Sequence, residues 1–508
     1  MTNREYDIVI IGSGAGGGTV AAELSQMTKG GIRVLLLEQG PRVSPEEMTG
    51  REVEMARALY ADDGAFLTSK GTVSLAFARA YGGSTLVYTG TSLVAPERVI
   101  RSWGVSGLTS ADVARRSAKY LVQNEVHLLP PEELNENNRL FVTGCRSAGF
   151  RAEQFPVNVR GCKGSSMCNL GCPNGAKLGT NAVQLPFAER NGVEVVTRAE
   201  VRRIEERAVH LRVRDKQPGE KGAPGEWAAG EYRVRAKVIV CAGGAIGTPA
   251  LLLRSGFGRH MPALGAGFTC HPAHILLAEH ARAITNDVGH PKSFYLDRAV
   301  EEGFVLETCM YFPFTTAKNL TGFGAPHSAL MRAFPRLQMI LALACDRAVP
   351  GNRVTVDKEG EPVVHYELTP RVVSSLVRAT RAASRIFFAA GARRVHAPSA
   401  HPPLIDAKDA QCVDELIDAR HFRAGKVSVS AAHLMGGAAM GAGRRSSVTD
   451  GWGRVHGLPW LRVADASLFP DSLEINPYVT IMALADRVAE AVRVDAPALL
   501  GARGAGAA

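Results

Sequence analysis

The chain has 508 residues, 46% of them hydrophobic, and a formal net charge of +10 spread along its length. That size fits two domains, or one large domain with insertions, in an ordinary folded enzyme. No basic-aromatic module accompanies the charge, which argues against a nucleic-acid partner, and no apolar run reaches the ~18 residues of a membrane span.

The first element is the most specific. Residues 8–11 form an apolar run that ends in Gly12-x-Gly14-x-x-Gly17. A helix-compatible stretch follows, and a second apolar run, Val34–Leu37, ends in Glu38. Gly12 permits the tight turn, Gly14 lets backbone approach a pyrophosphate, and Gly17 lets the helix pack on the strand. The helix start turns N–H groups and a positive dipole end toward phosphates. Glu38 is spaced to accept a hydrogen bond from a ribose 2′-OH. Together these residues predict a strand–helix–strand unit that holds a dinucleotide.

Residues 80–96, AYGGSTLVYTGTSLVAP, are rich in glycine, and a more polar, helix-leaning region follows. Residues 193–207 predict a strand and its continuation, and the Gly/Pro/charge-rich residues 215–226 a water-exposed hairpin tip. The strand over 235–241 runs into AGGAIGTPALLLRSG, a glycine turn and a helix. From 271 to 398 strand-like runs alternate with loops, and apolar positions between 271 and 343 hint at a pocket. Residues 458–470 are again a strand and a turn, and 474–493 open a helix; the closing ARGAGAA has nothing to pack. There is no internal repeat. The strand ends at Gly12, Gly243 and Asp465 each deliver backbone to what reads as one binding crevice.

Nine cysteines, an odd count with no signal-peptide shape upstream, predict mostly reduced thiols and a cytoplasmic protein. Cys145, Cys241, Cys270, Cys309, Cys345 and Cys412 stand alone and read as small hydrophobes. Cys162, Cys168 and Cys172 crowd into C-x5-C-x3-C before Pro173, which is similar to iron–sulfur ligation. Zinc lacks a fourth Cys or His nearby. A tight structural loop is the competing reading.

Four blocks, in order, resemble the glucose-methanol-choline (GMC) flavoprotein oxidoreductases. They are the fingerprint through Glu38, YGGSTLVYTG at 81–90, VIVCAGGAIGTPALLLRSG at 238–256, and HLMGGAAMG at 433–441 with LRVADASLFP and NPYVTI. The form of the last block is nearest to the cholesterol-oxidase-like and long-chain-alcohol-oxidising branches. The resemblance implies an α/β fold. A discontinuous Rossmann-like FAD-binding domain (1–130, 190–270 and 445–495) interleaves with a substrate-binding domain on an antiparallel sheet (131–189 and 271–444, with the cysteine segment). Residues 496–508 are expected to form a disordered tail.

By the same resemblance, FAD is held by Gly12, Gly14, Gly17 and Glu38 from the first block. Gly82, Gly83 and Ser84 follow from the second, with Tyr88 and Thr89 where many members carry Asn. Ala242 and Gly243 come from the third block, and Asp465, Ala466, Pro477 and Tyr478 from the fourth. His433 takes the position of the catalytic histidine and Asn476 that of its partner. Flavin oxidation of an alcohol needs the hydroxyl proton removed as hydride leaves carbon. Histidine suits that proton, and Asn suits orientation of the oxygen. A helix cap is the structural alternative for Asn476, and an N-cap for Asp465. Some members carry a three-cysteine cluster, which implies [3Fe–4S] at Cys162, Cys168 and Cys172.

The resulting expectation is oxidation of a CH–OH group to a carbonyl, with electrons passed to oxygen, a quinone or a carrier protein. Lyase or isomerase chemistry on the same fold is the alternative, as is FAD held for structure alone. The partners are then a small-molecule alcohol and an electron acceptor. Peripheral membrane contact and oligomeric state stay open.

Overall fold

A computed structural model describes residues 1–320, 322–396, 404–423 and 425–501. Strand β1 (Thr2–Ile11) buries Ile8, Val9, Ile10 and Ile11 in succession, as a parallel strand covered on both faces requires. It passes through Gly12 into helix α1 (Ala15–Leu24), and β2 (Val34–Leu37) pairs with it in parallel. Strand β3 (Glu194–Val196) extends the parallel sheet beyond β2. Next come β4 (Ala199–Glu205), β5 (Ala208–Val213) and β6 (Gly230–Cys241), joined antiparallel; β6 then lies parallel to β1.

The strand order is β3-β2-β1-β6-β5-β4, with the short strand Leu461–Val463 parallel to the end of β6. Helix α2 (Gly244–Arg254) follows β6. The ends at Gly12, Gly243 and Asp465 therefore do stand side by side. The tip over 215–226 is largely exposed to water, as expected, and is anchored from beneath. Arg198, fully buried, donates to the Ala223 carbonyl at 2.9 Å and the Lys221 carbonyl at 3.0 Å, and pairs with Glu220.

A second, antiparallel sheet is built on β7 (Ala273–Glu279), β8 (Phe294–Arg298), β9 (Phe304–Thr308) and β10 (Leu337–Ala344), in the order β7-β10-β9-β8. Period-two alternation divides its faces. Leu276, Ala278, Leu306, Ile340 and Ala342 pack under helix α3 (Pro370–Ala389), which offers Ala379, Ala383, Ile386 and Phe387 at helical spacing. Ile275, Leu277, Met339, Leu341 and Leu343 form the opposite face. Glu307, next to Leu306, is thereby turned away from α3. The strands Phe66–Leu67 and Ser74–Leu75, expected with the cofactor domain, join this second sheet beside Ser430–Ala431.

The last helix, α4 (Tyr478–Leu500), packs on α1. It carries 496–500 in helix, which corrects the expectation of a tail from 496; residues 502–508 lie outside the described residues. Among the described residues no helix is long and apolar enough to cross a membrane.

Candidate active site

At the crevice between the strand ends, main chain meets main chain. Gly12 turns with φ +99°, and a Cβ there would lie 2.4 Å from the Ala242 carbonyl oxygen. Gly17 backs onto the Gly12 carbonyl, so α1 packs on its own strand. Gly16, which the sequence pattern did not single out, approaches Ala464 so closely that a Cβ would stand 1.7 Å from its oxygen. Gly14 is the N-cap of α1 with no side-chain acceptor on the first-turn N–H groups, an arrangement that suits a phosphate.

Glu38 is buried, and its Oε2 accepts from the Ser13 N–H at 3.0 Å and the Ser13 hydroxyl at 2.5 Å. Its Oε1 accepts from the Gly40 N–H at 2.8 Å, and burial raises its pKa. The Ser13 hydroxyl also accepts from the Gly82 N–H at 2.9 Å, which ties the first block to the second. Gly83 lies against Gly14, and Ser84 is exposed at that edge, its hydroxyl accepting from the Ala78 N–H at 3.1 Å. Tyr88 accepts from Asn158 and packs on Tyr478, with ring centroids 5.0 Å apart. The Thr89 carbonyl accepts from His290 Nε2 at 3.0 Å.

On the other side the Ala242 N–H donates to the Ile11 carbonyl and the Gly243 N–H to Thr248 Oγ1. Asp465 Oδ2 accepts from the Gly244 N–H at 2.8 Å and from the Thr248 hydroxyl at 2.6 Å. Its Oδ1 caps the turn Ala466–Leu468 through the Ser467 N–H at 2.8 Å. The capping reading of Asp465 thus describes its side chain. The Ala466 carbonyl accepts from the Gly436 N–H, and Pro477 is the N-cap of α4, without a side-chain cap on Tyr478.

His433 and Asn476, 43 positions apart, are in contact: Asn476 Nδ2 lies 3.1 Å from His433 Nε2. His433 follows the strand Ser430–Ala431, where Met435 and Thr269 exchange backbone hydrogen bonds. That pairing sets His271 beside it, with Nδ1 atoms 3.0 Å apart. Asn476 does not cap α4; its Nδ2 also donates to Glu307 Oε1 at 3.2 Å. Glu307 pairs inside the protein with Lys292. Burial lowers the pKa of His433 to about 3, with the Lys292 charge adding to it. Burial likewise lowers His271 to about 3. His271, Lys292 and Glu307 carry no sequence motif; only strand pairing brings them here. A small pocket opens on His433, Asn476 and Glu307, with Leu93, Phe155 and Val305 among its apolar walls.

The three clustered cysteines line a separate small cavity with Lys177 and His290. Among the described residues no group of three or more His, Cys, Asp or Glu side chains stands so that it could hold a metal ion. The iron–sulfur expectation finds no support in that arrangement. Burial raises Cys162 and pushes Cys168 up to about 12. Lys177, lowered by burial to about 8, donates to the Tyr88 and Cys168 carbonyls at 2.7 and 2.6 Å.

Residues 56–273 match the N-terminal family model described as GMC oxidoreductase, and 349–485 the C-terminal one. The chain belongs to the GMC oxidoreductase family. An uncharacterized GMC-type oxidoreductase of Mycobacterium tuberculosis is 33% identical over 498 residues, covering 95% of this chain and 75% of that protein. A long-chain-alcohol oxidase of Arabidopsis thaliana is 26% identical, covering 96% of this GMC chain and 67% of its own. The crystal structure of pyridoxine 4-oxidase from Mesorbium loti shares the fold, with TM-score 0.69, 19% identity, and 96% and 99% of the two chains covered.

Proposed function

We propose that this GMC oxidoreductase binds FAD and oxidises a CH–OH group to a carbonyl. The observation that carries the reading is the His433–Asn476 contact at the wall of the pocket. The crevice fits the cofactor: α1 has an uncapped start at Gly14, and Gly83 meets it without a side chain between them. Gly12, Gly14, Gly17, Gly82, Gly83, Ser84, Ala242 and Gly243 would offer backbone to FAD. Glu38 and Asp465 would support its two sides through Ser13, Gly40 and Gly244, and Tyr88, Thr89, Ala466, Pro477 and Tyr478 would hold its ring. Bound FAD supplies a hydride acceptor.

The protein's own share is proton handling and orientation. His433, held neutral by its surroundings, presents Nε2 as the acceptor for a hydroxyl proton. Asn476, fixed by Glu307, orients the alcohol oxygen. The apolar walls fit a primary alcohol with a hydrocarbon chain, and a relative named a long-chain-alcohol oxidase supports that class. Electrons then pass to oxygen, a quinone or a carrier protein. His433→Ala tests this directly. It should keep flavin and lose turnover of a primary-alcohol panel by about 10²–10⁴-fold, the usual worth of general base catalysis. Wild-type rates would remove His433 from the reaction.

A further inference from the structure

The contacts around His433 place protons as well as atoms. Asn476 turns Nδ2 toward both Glu307 Oε1, at 3.2 Å, and His433 Nε2, at 3.1 Å. A carboxylate only accepts, so the amide must direct its NH2 end to Glu307. The second N–H of that group then meets His433 Nε2, which is therefore an acceptor and bare of hydrogen. A neutral imidazole with a bare Nε2 carries its proton on Nδ1, and that atom faces His271 Nδ1 at 3.0 Å. His271 Nδ1 must accept in turn, which puts the His271 proton on Nε2, 3.0 Å from Ser472 Oγ. Lys292 holds Glu307 in place and so anchors the direction of the whole chain.

We propose that His271 is a proton-relay residue: when an alcohol hydroxyl displaces the Asn476 N–H from the His433 Nε2 lone pair and gives its proton there, the freed Asn476 N–H turns to the alcohol oxygen and His433 Nδ1 passes its own proton to His271 Nδ1. The inference rests on the alcohol-oxidation reading above. The substrate O–H bond breaks as His433 Nε2–H forms, and His433 Nδ1–H breaks as His271 Nδ1–H forms. No electron moves in the relay; hydride leaves carbon separately for the flavin. The net positive charge comes to rest on the second imidazole, with Ser472 Oγ accepting from its Nε2–H.

Burial opposes a cation on both imidazoles; beyond it, Lys292 opposes one on His433, while on His271 the neighbouring His433 opposes one and Glu307 favours one. The other titratable groups lining the pocket are Tyr295, Asp297, Cys345 and Glu474, the last paired with Arg98 and Arg347. His271 lines the pocket beside His433, and its ring nitrogens face His433 Nδ1 and Ser472 Oγ, so its proton path runs through His433.

The test uses the full flavin-loaded chain. In wild type labelled with 15N-histidine, His433 should show a protonated Nδ1 and a bare Nε2, and His271 the reverse, each assigned by loss of its signal in His433→Asn and His271→Asn. A proton on His433 Nε2 overturns the relay whatever the activity. In anaerobic rapid mixing with 1-octanol, His271→Gln keeps an acceptor for His433 Nδ1–H but cannot take its proton. Its flavin absorbance and 1-octanol affinity should stay within about twofold of wild type while flavin reduction slows at least about tenfold across the pH range. Reduction at the wild-type rate and pH profile overturns the relay. A wild type that leaves its flavin oxidised with 1-octanol and other primary alcohols overturns the alcohol reading instead, and the tautomer pattern still decides the proton assignment.

Discussion

Gly83 faces Gly14 with no side chain between them; a Cβ on Gly83 would lie 2.6 Å from the Gly14 Cα. The second glycine-rich block thereby closes on the start of α1, where a pyrophosphate would sit. Gly83 also holds φ +52°, a conformation that costs another residue about 1–3 kcal/mol. Gly83→Ala should weaken FAD retention by roughly tenfold to a hundredfold, read as flavin released per mole of purified chain. A variant as yellow as wild type would show that this contact does not shape the cofactor crevice.

The Lys292–Glu307 pair lies behind the candidate site, and both side chains are buried. Breaking such a pair leaves one charge stranded, at a cost of about 3–5 kcal/mol. Lys292→Met should lose stability in that range in urea unfolding, and Lys292→Met with Glu307→Leu should regain much of it. The double variant should still fail to reduce its flavin, because nothing then orients Asn476. Equal stability of the single variant and wild type would refute the buried pair.

Acid should unfold this protein through its histidines. Burial is the largest cause of lowering in six of the described ones: His271, His274 and His433 to about 3, His290 and His396 to about 4, and His280 below its ordinary value. Unfolded, each titrates near about 6.5. The unfolded chain therefore binds more protons in the window between, and stability falls as pH drops. The contribution is complete above about pH 6.5 and is lost on the way to about 3–4. His274→Leu should make the slope of stability against pH shallower by up to about 1.4 kcal/mol per pH unit. An unchanged slope would mean that His274 is not held neutral.

Asp465 joins three donors, the Gly244 N–H, the Thr248 hydroxyl and the Ser467 N–H, from two of the family blocks. Loss of a cap costs about 0.5–2 kcal/mol, and stranded buried donors add to it. Asp465→Ala should therefore unfold at lower urea than wild type and hold FAD less tightly. Unaltered stability would reduce Asp465 to a cofactor contact alone.

Much of the crevice was legible in the chain. Val34–Leu37, Gly12 and the run into Gly243 are local signals, because a glycine turn between a buried strand and a helix leaves its mark within a few residues. His433 and Asn476 were also named from short motifs, and the fold brings them together. The C-x5-C-x3-C spacing does bring its cysteines to one cavity, but among the described residues no such group is arranged to hold a metal ion. The expected tail misled at 496–500 because packing carries α4 through Pro497 to Leu500.

The sequence by itself determined the strand–turn–helix junctions and the residue types at the crevice, because those follow from local backbone geometry. Only the tertiary structure decided that Glu307, Lys292 and His271 belong to the same site. Glu307 sits in a strand whose face is set by pairing with β10, and His271 meets His433 across 162 positions of chain. Such contacts depend on sheet register, and a one-residue slip in register would have turned Glu307 toward α3 and left Asn476 without the acceptor that fixes it.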